Sequence, residues 1–134
     1  MNRLVISLWI IFISTKYTNA TFEDEMFETI NRIGEDARKA NTANLRKTLQ
    51  ETLLAGSNPE QWSCVYSQIS PSYKELHTSL NMVLEDLRAE LGNNNPVLML
   101  IPQEKVKGLI EHSVEQATAA FNVRLSQIRE CVPQ

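Results

Sequence analysis

Glu111, His112 and Glu115 fall within one helical turn, a spacing at which a carboxylate and an imidazole can share a metal ion. The pattern is thin. Di-iron bundles carry Glu-x-x-His on each of two helices together with further glutamates, whereas here the order is His-x-x-Glu and it occurs once. A solvated helix face opposite Val114 and Phe121 accounts for the same residues, so no metal site is expected. His77, beside Leu76, reads as a boundary or hydrogen-bonded core histidine. Glu35 with Asp36, and Glu85 with Asp86, are adjacent pairs, and neighbours on a helix diverge by about 100 degrees. Neither pair makes a two-carboxylate acid/base couple by itself. The glycines at positions 34, 56, 92 and 108 are isolated, so phosphate-cradling and dinucleotide loops are missing, as is Gly-x-Ser-x-Gly. A non-enzymatic chain without a cofactor is the expectation.

The N-terminus indicates the setting that the cysteines meet. One cation, Arg3, precedes an apolar run from Leu4 to Ile13, and polar residues then lead to Thr18 and Ala20. These are the three regions of a secretory signal peptide, with cleavage expected before Thr21. The run is short of the roughly 18–20 apolar residues that span a bilayer, and Lys16 blocks its extension toward the C-terminus. Residues 1–20 are therefore assigned to a cleaved signal and 21–134 to a single secreted, extracellular domain with no stable membrane anchor. In an oxidising compartment Cys64 and Cys131 are expected to pair, closing a loop of 67 positions. A disulfide-linked dimer is the competing arrangement. Asn19-Ala20-Thr21 has the N-glycosylation spacing, but the expected cut separates Asn19 from the mature chain.

Removing Arg3 and Lys16 from 13 basic residues leaves 11 against 16 acidic ones, a net charge near −5. Nucleic acid, which is held by clustered Lys and Arg, is excluded as a partner on this balance. Sustained apolar alternation is absent after residue 20, while apolar residues recur at spacings of three and four, so the domain reads as all-α. The pattern predicts helices over Phe22–Lys39 and Thr42–Ala55, the second capped by Gly56. Asn58, Pro59 and Gln61 supply a cap, a first-position proline and a third-position glutamine for the next helix, whose stripe is Trp62, Val65, Tyr66 and Ile69. On that stripe Cys64 would point outward. Ser70-Pro71 predicts another start, for a helix to Leu91 closed by Gly92, and Pro102 opens a last one to Val132 with a bend at Gly108. The expected architecture is a small secreted bundle of four to five helices closed by one disulfide.

Two apolar features are candidates for a partner or ligand surface. Val97, Leu98, Met99, Leu100 and Ile101 form the most hydrophobic stretch of the mature chain, read first as a buried connector. Trp62, Tyr66 and Tyr73 cluster within twelve positions; such aromatics are enriched at interfaces, though one Trp in a small helical domain is commonly a core anchor. A signal, one Cys pair and a few helices resemble the layout of helical cytokines and of small secreted helical proteins of arthropods. That resemblance is one of format and transfers no site residue; the six-cysteine framework of odorant-binding proteins and saposins is not matched. The functional expectation is a secreted binding protein that presents helix faces to an extracellular protein partner. The alternative is a carrier holding a small apolar ligand between its helices.

Overall fold

A computed structural model describes residues 3–92 and 100–133, with side chains from residue 23 onward. Among the described residues the chain is all-helical and forms three helices: α1 (Arg3–Ala55), α2 (Pro59–Gly92) and α3 (Gln103–Arg129). Three of the expected helix boundaries are absent, the start at Phe22 among them, which is interior to α1. The break anticipated between Lys39 and Thr42 falls at Asn41, which is only 2% exposed and whose amide donates to Thr118 Oγ1 of α3 at 3.0 Å. Asn41 is thus a core position bridging two helices, and its polarity marks no turn. The start anticipated at Ser70-Pro71 is likewise interior to α2. Proline removes one backbone bond and crowds the preceding turn, at a cost of about 3 kcal/mol. Burial of Val65 on one side of Pro71 and of Ser72 and Leu76 on the other holds the helix together across it. Pro71 itself is exposed.

The α2 start is built as its residues require. Asn58 Oδ1 accepts from the Gln61 backbone N–H at 2.9 Å, and Gln61 Oε1 accepts from the Ser57 N–H at 2.8 Å. These bonds satisfy backbone donors that the first helical turn leaves free.

Cross-helix hydrogen bonds define the directions of the helices. Arg88 Nη2 donates to Asn31 and Arg38 Nη2 to Asn81, each at 2.6 Å, so α2 residue numbers fall as α1 numbers rise. Gln103 reaches Glu25, Asn41 reaches Thr118 and Arg129 reaches Thr48, so α1 and α3 run parallel. The fold is an up-down-up bundle.

The core positions share one spacing. On α1 the series is Met26, Ile30, Gly34, Ala37, Asn41, Leu45, Thr48 and Thr52, with buried Leu49 beside it; on α3 and the turn after it the series is Val106, Ile110, Val114, Ala117, Phe121, Leu125, Ile128 and Val132. Both series step by 4, 4, 3, 4, 4, 3 and 4, and each α3 position is its α1 counterpart plus 80. Read backwards, Leu91, Leu87, Val83, Leu80, Leu76, Ser72, Ile69 and Val65 of α2 follow the same steps, with buried Leu84 beside Val83. Each level of the bundle therefore takes one residue from each helix. Eleven residues in three turns is about 3.67 per turn, close to the intrinsic α-helical value, so the stripe stays on one side with little supercoiling.

Sizes are complementary across the levels. Ala37 and Ala117 share theirs with Leu80, and Gly34 lies so close to Leu84 that a Cβ there would sit 2.7 Å from both Leu84 methyls. Gly108, the expected bend, lies in an unbroken α3 and has open space at its Cβ direction. A 27-residue α3 is about 40 Å long, which fits a rod of three long helices and needs no kink.

These two glycines give opposite expectations. Gly108→Ala should raise stability by about 0.5–1 kcal/mol through helix propensity. Gly34→Ala should lower it by about 1–3 kcal/mol, because the buried Leu84 must leave its place. Urea unfolding midpoints of the two variants check both signs.

Candidate functional site

The predicted Cys64–Cys131 disulfide is formed within the chain, with Cα atoms 5.6 Å apart. The outward direction expected for Cys64 rested on counting Trp62 and Tyr66 in the core stripe. Both are exposed, at 45% and 76%, and the core line of α2 instead runs Val65–Ile69–Ser72–Leu76. Cys64, about 100 degrees from Val65, then faces α3, where Cys131 is half-buried against the core. The link sits beside the last level of the bundle and ties the start of α2 to the turn after α3.

The three aromatics do not form one core anchor. Trp62 lies over the α1–α2 turn, and its indole Nε1 donates to the Gly56 carbonyl at 2.9 Å. Tyr73 packs against the core, while Tyr66 stands on the surface. Of the apolar stretch, Val97, Leu98 and Met99 lie outside the described residues. Leu100 is 86% exposed, which contradicts a buried connector at that position, and Ile101 is half-buried against the core. Leu100 and Ile101 precede the start of α3 at Gln103, and of the two only Ile101 packs against the core.

His112 is exposed, as are Glu111 and Glu115; Glu111 pairs with Lys107 at 3.8 Å. His77 is exposed too, so it is no core histidine. Among the described residues no three His, Cys, Asp or Glu side chains converge to hold a metal ion.

Residue patterns did not reveal a groove along the seam between α1 and α3. Four concavities lie on it in succession. The first, about 330 Å³, is lined by Glu25, Glu28, Arg32, Glu104 and Lys107 among others; the second, about 300 Å³, by Ile33, Ala37, Glu111, Glu115, Thr118 and Ala119. The third, about 360 Å³, has Asn44, Lys47, Thr48, Asn122 and Arg129, and the fourth, about 420 Å³, has Thr52, Ala55, Arg129 and Val132. The cause lies in side-chain size. The α1 core series holds Gly34, Ala37, Thr48 and Thr52 where α2 holds Val83, Leu80, Ile69 and Val65, so the α1–α3 seam is left shallowly filled. Its floor is polar in places: Thr48 is buried, bonds Arg129 at 3.4 Å through Oγ1, and accepts from Thr52 Oγ1 at its carbonyl at 2.6 Å. The only sequence signal for this surface was the small and polar content of one face of α1, which a search for apolar stripes passes over.

The chain matches no known family, no curated protein and no solved structure.

This geometry generates two expectations. Replacing both cysteines by serine should cost about 4 kcal/mol, because a 67-residue loop is freed in the unfolded chain, and should loosen the α2 start and α3 end first. Hydrogen exchange with and without reductant locates that loosening. Trp62→Phe, which leaves the Gly56 carbonyl without its donor, should cost about 1 kcal/mol, whereas Tyr66→Phe should change stability by less than about 0.5 kcal/mol; thermal unfolding separates them.

Proposed function

We propose that this protein is a secreted, non-enzymatic binding protein that acts on an extracellular protein partner through its helix faces. Its work is recognition, as a signal, an effector or an inhibitor. The observation that carries the reading is the α1–α3 seam, where four surface concavities follow one another along two helices. Sites on helices are held more firmly than sites on loops, and the disulfide fixes one end of this surface. Export is supported by the leader pattern and by the disulfide. Among the described residues no helix is long and apolar enough to cross a membrane.

The alternative, a carrier of a small apolar ligand, draws on the second concavity, where Ile33, Ala37, Val114 and Ala119 give an apolar lining. The carboxylates of Glu111 and Glu115 at the same place, and the open form of the groove, favour a protein surface over a lipid-like molecule.

Expression of the full chain in secreting cells tests the reading. The expected product is recovered from the medium, begins at Thr21, has no free thiol and binds one protein of that extracellular fluid saturably. Retention in the cytosol with Met1 attached, or saturable displacement of a hydrophobic dye in place of protein binding, would overturn it.

A further inference from the structure

We infer that the occupant of the α1–α3 groove is an amphipathic helix of the partner, antiparallel to α1 and α3 and basic in its C-terminal half. This rests on the binding-protein reading and names the chemistry of its partner. Three features of the seam converge on that occupant.

The first is direction. α1 and α3 are parallel, so their macrodipoles align side by side, positive ends together. A third helix lying in the groove between them is favoured when it runs the other way, which would also continue the alternating up-down order of the bundle.

Charge is the second feature. The N-terminal half of the groove is lined by the carboxylates Glu25, Glu28, Glu104, Glu111 and Glu115 against the cations Arg32 and Lys107. Eleven residues on from Glu25 and Glu28, the exposed Asp36 and Lys39 repeat their helical positions and offset each other, so the excess rests on the five lining carboxylates. In the C-terminal half Lys47 and Arg129 balance Glu51 and Glu130. An antiparallel helix sets its C-terminal half against the acidic end, so its cations belong there, where its own dipole also favours them. A second copy of this chain, net −3, is a poor source of such a helix.

The third feature is width. Ala37 and Ala119 face the middle of the groove with minimal side chains, which lets a helix approach closely while the half-buried Ile33 supplies apolar contact.

Two fluorescein-labelled synthetic peptides test the inference on the full chain secreted by expressing cells. Both are 22-residue helices with Leu and Ala at steps of 4, 4 and 3; one carries four lysines in its C-terminal half, the other carries them in its N-terminal half. The first should bind at least tenfold more tightly at low salt, and the difference should shrink in 0.5 M salt, as screening predicts. Glu111→Gln combined with Glu115→Gln should reduce the preference several-fold. Ala119→Trp, at an exposed groove position outside the core, should abolish binding of both peptides while the circular dichroism spectrum is kept. Equal affinity for the two peptides, binding indifferent to Ala119→Trp, or binding of neither peptide would overturn the inference. So would self-association in sedimentation that Ala119→Trp removes, which would assign the groove to a second copy. A natural partner captured equally well by wild type and Ala119→Trp would sink this assignment while leaving the binding-protein reading intact.

Discussion

The bundle depends on a single constraint: three helices must bring their core positions to the same levels. Steps of 4, 4 and 3 recur on all three, forward on α1 and α3 and backward on α2. Because this spacing nearly equals the natural turn of an α-helix, the helices can remain long without winding their apolar sides away from one another. A one-residue shift of α2 would rotate its leucines about 100 degrees out of the core. The Arg88–Asn31 and Arg38–Asn81 bonds, set seven residues apart on each helix, match only the observed register. They are exposed and individually small in energy, so their value lies in excluding alternatives, with burial of residues such as Ile30, Leu80, Ile110 and Ile128 supplying the drive.

The same constraint creates the surface. At four levels α1 contributes only Gly34, Ala37, Thr48 or Thr52, against Val83, Leu80, Ile69 and Val65 of α2. Small residues there allow close approach in the centre but leave the outer edge of the α1–α3 seam unfilled. Asn41 and Thr48 keep their polarity because each finds a partner on α3, Thr118 and Arg129 respectively. The groove is thus a by-product of how the core is filled, and the disulfide beside the last level keeps its C-terminal end from fraying.

Much of the fold was legible from residue types. Helical periodicity gave the class, the two thiols their pairing, and Asn58-Pro59 the start of α2. The misread boundaries have physical reasons. Pro71 is a breaker by local rules, yet burial on both sides carries the helix through it. Asn41 resembles a turn residue until α3 provides Thr118 as its partner, a contact 77 positions away that no local pattern contains. Trp62 and Tyr66 counted as core by type, but they flank the stripe, and their inclusion displaced the apparent direction of Cys64. The groove was illegible for a related reason: it is made by the smallness of residues on one helix relative to two others, and that comparison requires the register.

The most direct test of this account measures the register itself. Spin labels at Asn44 and Asn122, which line the same concavity, should lie across one helix–helix spacing, about 8–10 Å between axes before allowing for the label arms. Labels at Asn44 and Lys107 should be roughly 15 Å farther apart, because Lys107 is fifteen residues, or about 22 Å, back along α3. Pulsed electron–electron resonance on the oxidised protein yields both distances. The account predicts the short distance for the first pair and the long one for the second; equal or inverted distances would contradict the parallel, level arrangement of α1 and α3 on which core and groove both stand.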